Sequence, residues 1–340
     1  MYKKFFMGIA AMAALTLVSC SSDDLNSLSD NSSKNEAISF DGYLGRSAVA
    51  VNGSRGSEET KDLLKTDGFG VFGNYTPTDG QSSNLFYNQK VHGDASGADK
   101  WTYEPVRYWP AQGHIDFLAY APYADGTTLT NTSLAFKVKD KAADQKDLLW
   151  ANAANKTNGT VTFKFAHALS RLGYSVKLNA AYSEATITLN KITLAGSADE
   201  ATKAFYTAGT IDLSKTSSTD LWTTSSTDAK QNFKWFSGTH DLGTTDYSNP
   251  ATDYLFVIPQ DFSITEPNAD ELYVIVEYTI EYNSGVKATV TNTVSSQIKK
   301  KFEQGKAYTI NLTIGLTPIE FNADVTKWDE TAPGYGITWE

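Results

Sequence analysis

The sequence predicts an all-β protein, most simply two β-sandwich domains in series. Three observations lead there. Aromatic residues are plentiful, with 18 Tyr, 17 Phe and 7 Trp in 340 residues, a composition suited to strands. Short apolar alternations recur along most of the chain, bounded by turn residues. No segment sustains a helical period. Many short alternating strands bury their apolar faces by packing sheet on sheet.

The chain opens with a processing segment. Lys3 and Lys4 precede an apolar stretch from Phe5 to Val18, and the run Leu17-Val18-Ser19-Cys20 closes it. This is the layout of a lipoprotein signal peptide over residues 1–19, cut before Cys20, whose thiol receives lipid. The stretch of about 14 apolar residues is shorter than the roughly 20 of a spanning helix. Cys20 is the only cysteine, so no intrachain disulfide is possible and packing alone must stabilise the fold. Residues 20–36 are rich in Ser, Asp and Asn and read as a flexible tether. Removing residues 1–19 takes two lysines and no acid, so the formal charge moves from -10 to -12. So acidic a chain is a poor partner for nucleic acid or anionic lipid.

The strand signals follow in order. Ile38 and Phe40 alternate in a first short strand that reaches Tyr43-Leu44. Residues 45–60 turn polar and Gly/Ser-rich and hold Arg46 and Arg55, two of only four arginines. From Gly68 onward come Phe69–Phe72, Leu85–Tyr87, Trp101–Tyr103, Ile115–Tyr120, Leu134–Val138 and Val161–Phe165. The run Ala166–Arg171 breaks the pattern and is compatible with a helical turn. The domain division is set there, giving 37–168 and 169–340. The second half repeats the style with Tyr174–Leu178, Ala185–Leu194 and Tyr254–Ile258. Residues 214–232 are Ser/Thr/Asp-rich and read as a long loop. Leu272–Tyr282 and Val286–Val294 form a hairpin turned by Asn283-Ser284-Gly285. Tyr308–Ile314 alternates cleanly, and Ile319, Phe321, Ala323 and Val325 share one face of the last strand.

The chain carries little that reads as chemistry. His92, His114, His167 and His240 show no metal-ligand spacing, and structural or solvated roles suit them. There is no nucleophile elbow, phosphate-cradling loop or dinucleotide fingerprint. The one thiol is the lipid site. No sequence feature selects a carboxylate pair for glycoside hydrolysis. The expectation is a non-enzymatic protein with no cofactor and no metal. Trp101, Tyr108, Trp109, Trp222 and Trp235 would suit a sugar-binding face, but large aromatics more often fill cores.

An ordered set of local signals resembles the fimbrillin family of Bacteroidota, the Mfa-like subunits and tip proteins of type V pili. The set begins with the lipobox at Cys20, the strand Ile38-Ser39-Phe40 and a loop arginine; the Ser-Ser-Asp-Asp run behind Cys20 separately resembles the acidic export signal of Bacteroidota surface lipoproteins. The set continues with Phe69–Phe72, Arg107-Tyr108-Trp109-Pro110 leading into Ile115–Tyr123, and Phe165–Leu172. Leu255–Gln260, Gly305–Leu312, Pro318–Phe321 and Val325–Trp328 complete it. The resemblance implies two transthyretin-like β-sandwich domains in tandem. It implies an outer-membrane lipoprotein precursor, anchored through Cys20, that becomes part of a cell-surface fimbrium. An arginine-specific protease would cut after Arg55, the preferred site, or Arg46, the alternative. That removes the strand of Ile38 and Phe40, within about residues 37–55, and opens a groove. A strand from another fimbrillin subunit, the same or different, would then fill the groove. The donor would be Ile319, Phe321, Ala323 and Val325, although the same segment also reads as the last strand of its own domain. Stalk, tip and anchor roles all stay open. The competing expectation is a surface-tethered, glycan-binding lipoprotein that keeps its lipidated Cys20.

Overall fold

A computed structural model describes residues 36–44, 61–93, 100–216, 221–225, 229–250, 253–267, 269–283, 285, 288–316 and 320–327, the last stretch as backbone. The all-β expectation holds. The first half contains β1 (Ser39–Leu44), a short helix α1 (Lys61–Asp67), β2 (Phe69–Thr76), β3 (Ser83–Gly93), β4 (His114–Ala121), β5 (Ser133–Lys137), β6 (Leu149–Lys156) and β7 (Thr160–His167). The second contains β8 (Ser170–Leu178), β9 (Ala185–Ala195), β10 (Ala208–Asp212), β11 (Phe233–Asp241), β12 (Leu255–Val257), β13 (Tyr273–Tyr282), β14 (Thr289–Gln297), β15 (Lys306–Ile314) and β16 (Glu320–Lys327). Several two-residue strands complete the set.

The first half forms one seven-stranded sheet in the order β1-β7-β6-β4-β2-β3, ending on the short strand Trp101–Thr102. Its alternating inward residues make one core of Ile38, Phe40, Phe69, Phe86, Phe117, Phe163 and Phe165 with smaller neighbours. The sheet curls, so its two end strands approach: Trp101 Nε1 donates to Asp41 Oδ1 of β1 at 3.3 Å.

The second half stacks two sheets over a second core. One runs β11-β9-β13-β14, antiparallel throughout. The other runs Tyr247–Ser248, β8, β15, β16, with β8 and β15 parallel and β15 and β16 antiparallel. The predicted hairpin is present as β13 and β14, with Glu281 opposite Thr289 and Gly285 at φ 71°. That left-handed backbone is what glycine supplies at a turn.

Three readings need correction. Ala166–Arg171 is no helical turn. It is the end of β7, the link Ala168-Leu169 and the start of β8, with Ala168 and Leu169 fully buried. The polar stretch 214–232 is not wholly loop, since Trp222–Thr223 pairs with β10 and Lys230–Gln231 pairs with Phe205–Tyr206. The helix α1 was not expected at all; it is too short for a periodic signal to emerge.

Candidate functional site

The segment around β1 is the site the sequence singled out, and its geometry is now explicit. β1 lies parallel to β7, with Phe40 opposite Val161, Gly42 opposite Phe163 and Leu44 opposite Phe165. The residues just before it pair on the other side. Ile38 N–H donates to Arg107 O at 2.8 Å, and Trp109 N–H donates to Glu36 O at 2.9 Å. Ala37 and Tyr108 form an antiparallel bridge. Residues 36–44 therefore bridge two backbone partners at once.

Alternation explains which side chains enter the core. Ile38 is 1% exposed and Phe40 is 4% exposed, while Ser39 and Asp41 face out. Phe40 is ringed by aromatics: edge-on to Phe86 at 5.4 Å, Tyr103 at 5.2 Å and Phe117 at 5.7 Å, and stacked on Phe163 at 5.9 Å. Burying Ile38 and Phe40 is worth about 1.5–3 kcal/mol each, and favourable aromatic pairs add about 0.5–1.5 kcal/mol apiece. Tyr103 latches the backbone, its hydroxyl donating to Ile38 O at 2.6 Å. Burial pushes that hydroxyl's pKa above the usual tyrosine value, partly opposed by Arg107. Ser39 Oγ and Thr160 Oγ1 sit 2.8 Å apart on the outer face.

The other predicted site residues fall in two groups. Cys20, Arg46, Arg55 and Ile319 lie outside the described residues. Phe321, Ala323 and Val325 lie in β16, whose backbone places them opposite Leu312, Ile310 and Tyr308 of β15. β16 is the terminal strand of its sheet. Sequence reasoning missed the aromatic residues packed around β1: Phe69, Phe86, Trp101, Tyr103, Phe117, Phe163 and Phe165. Their alternation was visible, but not that seven rings from distant parts of the chain would meet around β1. It also missed Arg107–Trp109 as a backbone partner of residues 36–38.

Four of the five aromatics considered for a sugar face are spent elsewhere. Trp109 and Trp235 are buried, Trp101 packs on Phe69 at 5.0 Å, and Trp222 donates to Ala168 O at 2.6 Å. Only Tyr108, 57% exposed, lies open. The histidines are held locally: His92 Nδ1 is 3.0 Å from Gly93 O, His114 pairs with Asp116, and His240 stacks on Tyr247 at 3.6 Å. His167 Nδ1 lies 2.5 Å from the buried Asp147. Among the described residues no three potential metal ligands cluster.

The described body is almost entirely strands, with Ile38 and Phe40 buried in its first core, and comparison with known proteins places it in a family. The fimbrillin-like family model matches residues 55–328. The chain therefore belongs to the fimbrillin-like family. Among solved structures, a fimbrial protein from Bacteroides vulgatus is 22% identical with a TM-score of 0.61, covering 86% of this chain and 99% of its own. A candidate cell adhesion protein from Bacteroides uniformis is 16% identical with a TM-score of 0.50, covering 86% of this chain and 99% of its own. At these identities the likeness is one of fold. No curated protein matches the chain.

Proposed function

We propose that the chain is a structural subunit or tip adhesin of a surface fimbrium, assembled by strand exchange. It is delivered as a lipoprotein carrying lipid on Cys20 and cut after Arg55, with Arg46 the alternative. Cutting frees β1, and a strand donated by another subunit, drawn from Ile319–Val325, takes its place. One observation carries the reading: β1 plugs an aromatic groove with Ile38 and Phe40, and the stretch that joins it to the rest of the body, 45–60, holds both arginines. An emptied groove presents unpaired backbone groups beside apolar side chains, which is what an incoming strand satisfies. The body's role is then mechanical, and no catalysis is assigned to it.

The test is to treat purified precursor with an arginine-specific protease. A shortened product starting after Arg55 or Arg46, followed by SDS-resistant multimers, is the expected result. A cut protein that stays monomeric overturns assembly by exchange. On cells, N-terminal sequencing should find a start just after one of these arginines; a start at lipidated Cys20 would instead support a tethered lipoprotein.

A further inference from the structure

We infer that the groove sorts incoming strands by the size of one side chain, and that a second copy of this chain carries the strand that passes. This rests on the strand-exchange reading above and names the partner and the residue that admits it.

The sorting position is Gly42. It is buried, and the inward residues flanking it are Phe40 and Leu44 of β1, with Ile38 just before the strand. A Cβ there would sit 3.2 Å from Phe69 Cε1, 3.3 Å from Phe165 Cε2 and 3.6 Å from Trp101 Cζ2. These rings come from β2, β7 and the strand Trp101–Thr102, and they brace one another. Phe69 lies 5.0 Å from Trp101 and 5.2 Å from Phe165. Gly42 is not among the glycines with positive φ, so its backbone does not itself demand glycine. Space does: glycine inside a strand often marks close approach by another group. One methyl fits if the rings give by a few tenths of an ångström. A branched side chain overpacks a wall already filled.

The chain contains a strand that meets this condition. Residues 38–44 read Ile-Ser-Phe-Asp-Gly-Tyr-Leu, and residues 319–325 read Ile-Glu-Phe-Asn-Ala-Asp-Val. Without a gap, Ile and Phe recur at the same places, Ala323 stands for Gly42, and Val325 stands for Leu44. Set in the register of β1 on β7, Phe321 falls opposite Val161, Ala323 opposite Phe163 and Val325 opposite Phe165. The outward face corresponds as well. Asn322 takes the place of Asp41, whose carboxylate accepts from Trp101 Nε1, and an amide oxygen accepts equally. A similar alternation occurs at Ile115, Phe117, Ala119 and Ala121, but that is β4, paired on both sides. The C-terminal version lies on a terminal strand.

The experiment uses the whole protein cut with an arginine-specific protease, and labelled peptides spanning residues 317–329. Binding is read by fluorescence anisotropy for the native peptide and for Ala323→Gly, Ala323→Val and Ala323→Leu. The expected series is native and Ala323→Gly alike, Ala323→Val weaker, and Ala323→Leu at least tenfold weaker. A cut chain carrying Phe165→Ala should recover Ala323→Leu binding. If that variant fails to fold, the peptide series still decides, since it uses the unaltered groove. Equal binding of native and Ala323→Leu peptides overturns the size sorting and leaves strand exchange standing. No binding by any peptide, while the cut chain still forms multimers, overturns this donor alone. No binding and no multimers overturns strand exchange as well.

Discussion

Phe40 concentrates the energetics of the plug, since four rings meet it. Truncating a buried Phe to Ala typically costs about 3–5 kcal/mol. Phe40→Ala should therefore lower the stability of the protein by about 3 kcal/mol in urea unfolding, and should have no effect in a chain that begins at Gly56 and so lacks β1. Tyr103 is the polar counterpart. Tyr103→Phe removes the donor to Ile38 O and should cost about 1 kcal/mol. Ionising the Tyr103 hydroxyl would remove the donor to Ile38 O. Burial raises the Tyr103 pKa, so its contribution is complete below the ordinary tyrosine value and lost as pH rises through the raised one. A dye that binds exposed apolar surface should report groove opening over that interval. Tyr103→Phe should abolish this pH step.

At the scale of elements, β1 was legible because Ile38 and Phe40 alternate with polar neighbours and glycine-rich sequence follows. The hairpin of β13 and β14 was legible for the same reasons. β6 was not. Its sequence Leu-Trp-Ala-Asn-Ala-Ala-Asn-Lys mixes weak strand formers, yet both faces are used. Leu149, Ala151 and Ala153 enter the first core while Trp150 enters the second. A strand buried on both sides shows no clean period of two. β11 was passed over because Gly238 and polar residues dilute its second half. The site was half legible: the alternation of Ile38 and Phe40 is local, but the residues packed around them depend on long-range pairing that no local pattern records. The plug's separability is itself testable. A chain beginning at Gly56 should fold, bind the apolar-surface dye, and lose that binding when a peptide of residues 36–44 is added. Failure of the peptide to suppress the dye would mean that β1 and the groove are not separable.

Across the whole molecule, the sequence halves interlock more than a simple series suggests. β5, from the first half, pairs with β10 from the second, Ala135 opposite Thr210. Leu134, Val138 and Leu148 pack in the second core, and Asn152 donates to Leu213 O at 2.8 Å. The second core also holds Tyr308, whose hydroxyl accepts from Glu303 N–H at 2.8 Å. Burial pushes its pKa up to about 12. A raised folded-state value means that stability is full below the ordinary tyrosine value and falls as pH climbs toward 12. Thermal unfolding should show Tm dropping across that window, less steeply in Tyr308→Phe. An unchanged slope would place the alkaline sensitivity on other tyrosines.

The parallel pairing of β1 with β7 has a kinetic meaning. Antiparallel neighbours are often joined by a short turn, whereas parallel ones need a long crossover. Here the crossover spans nearly the whole first half of the chain. Among the described residues β1 has no hairpin partner, and the backbone through 45–60 is what joins it to α1 and the rest of the body. While that backbone is whole, β1 is held at the high effective concentration of an intramolecular ligand. On the strand-exchange proposal, one break in 45–60 would turn it into a separate molecule with every contact unchanged. Departure would then depend on dilution, and a competing strand at higher local concentration would take the site.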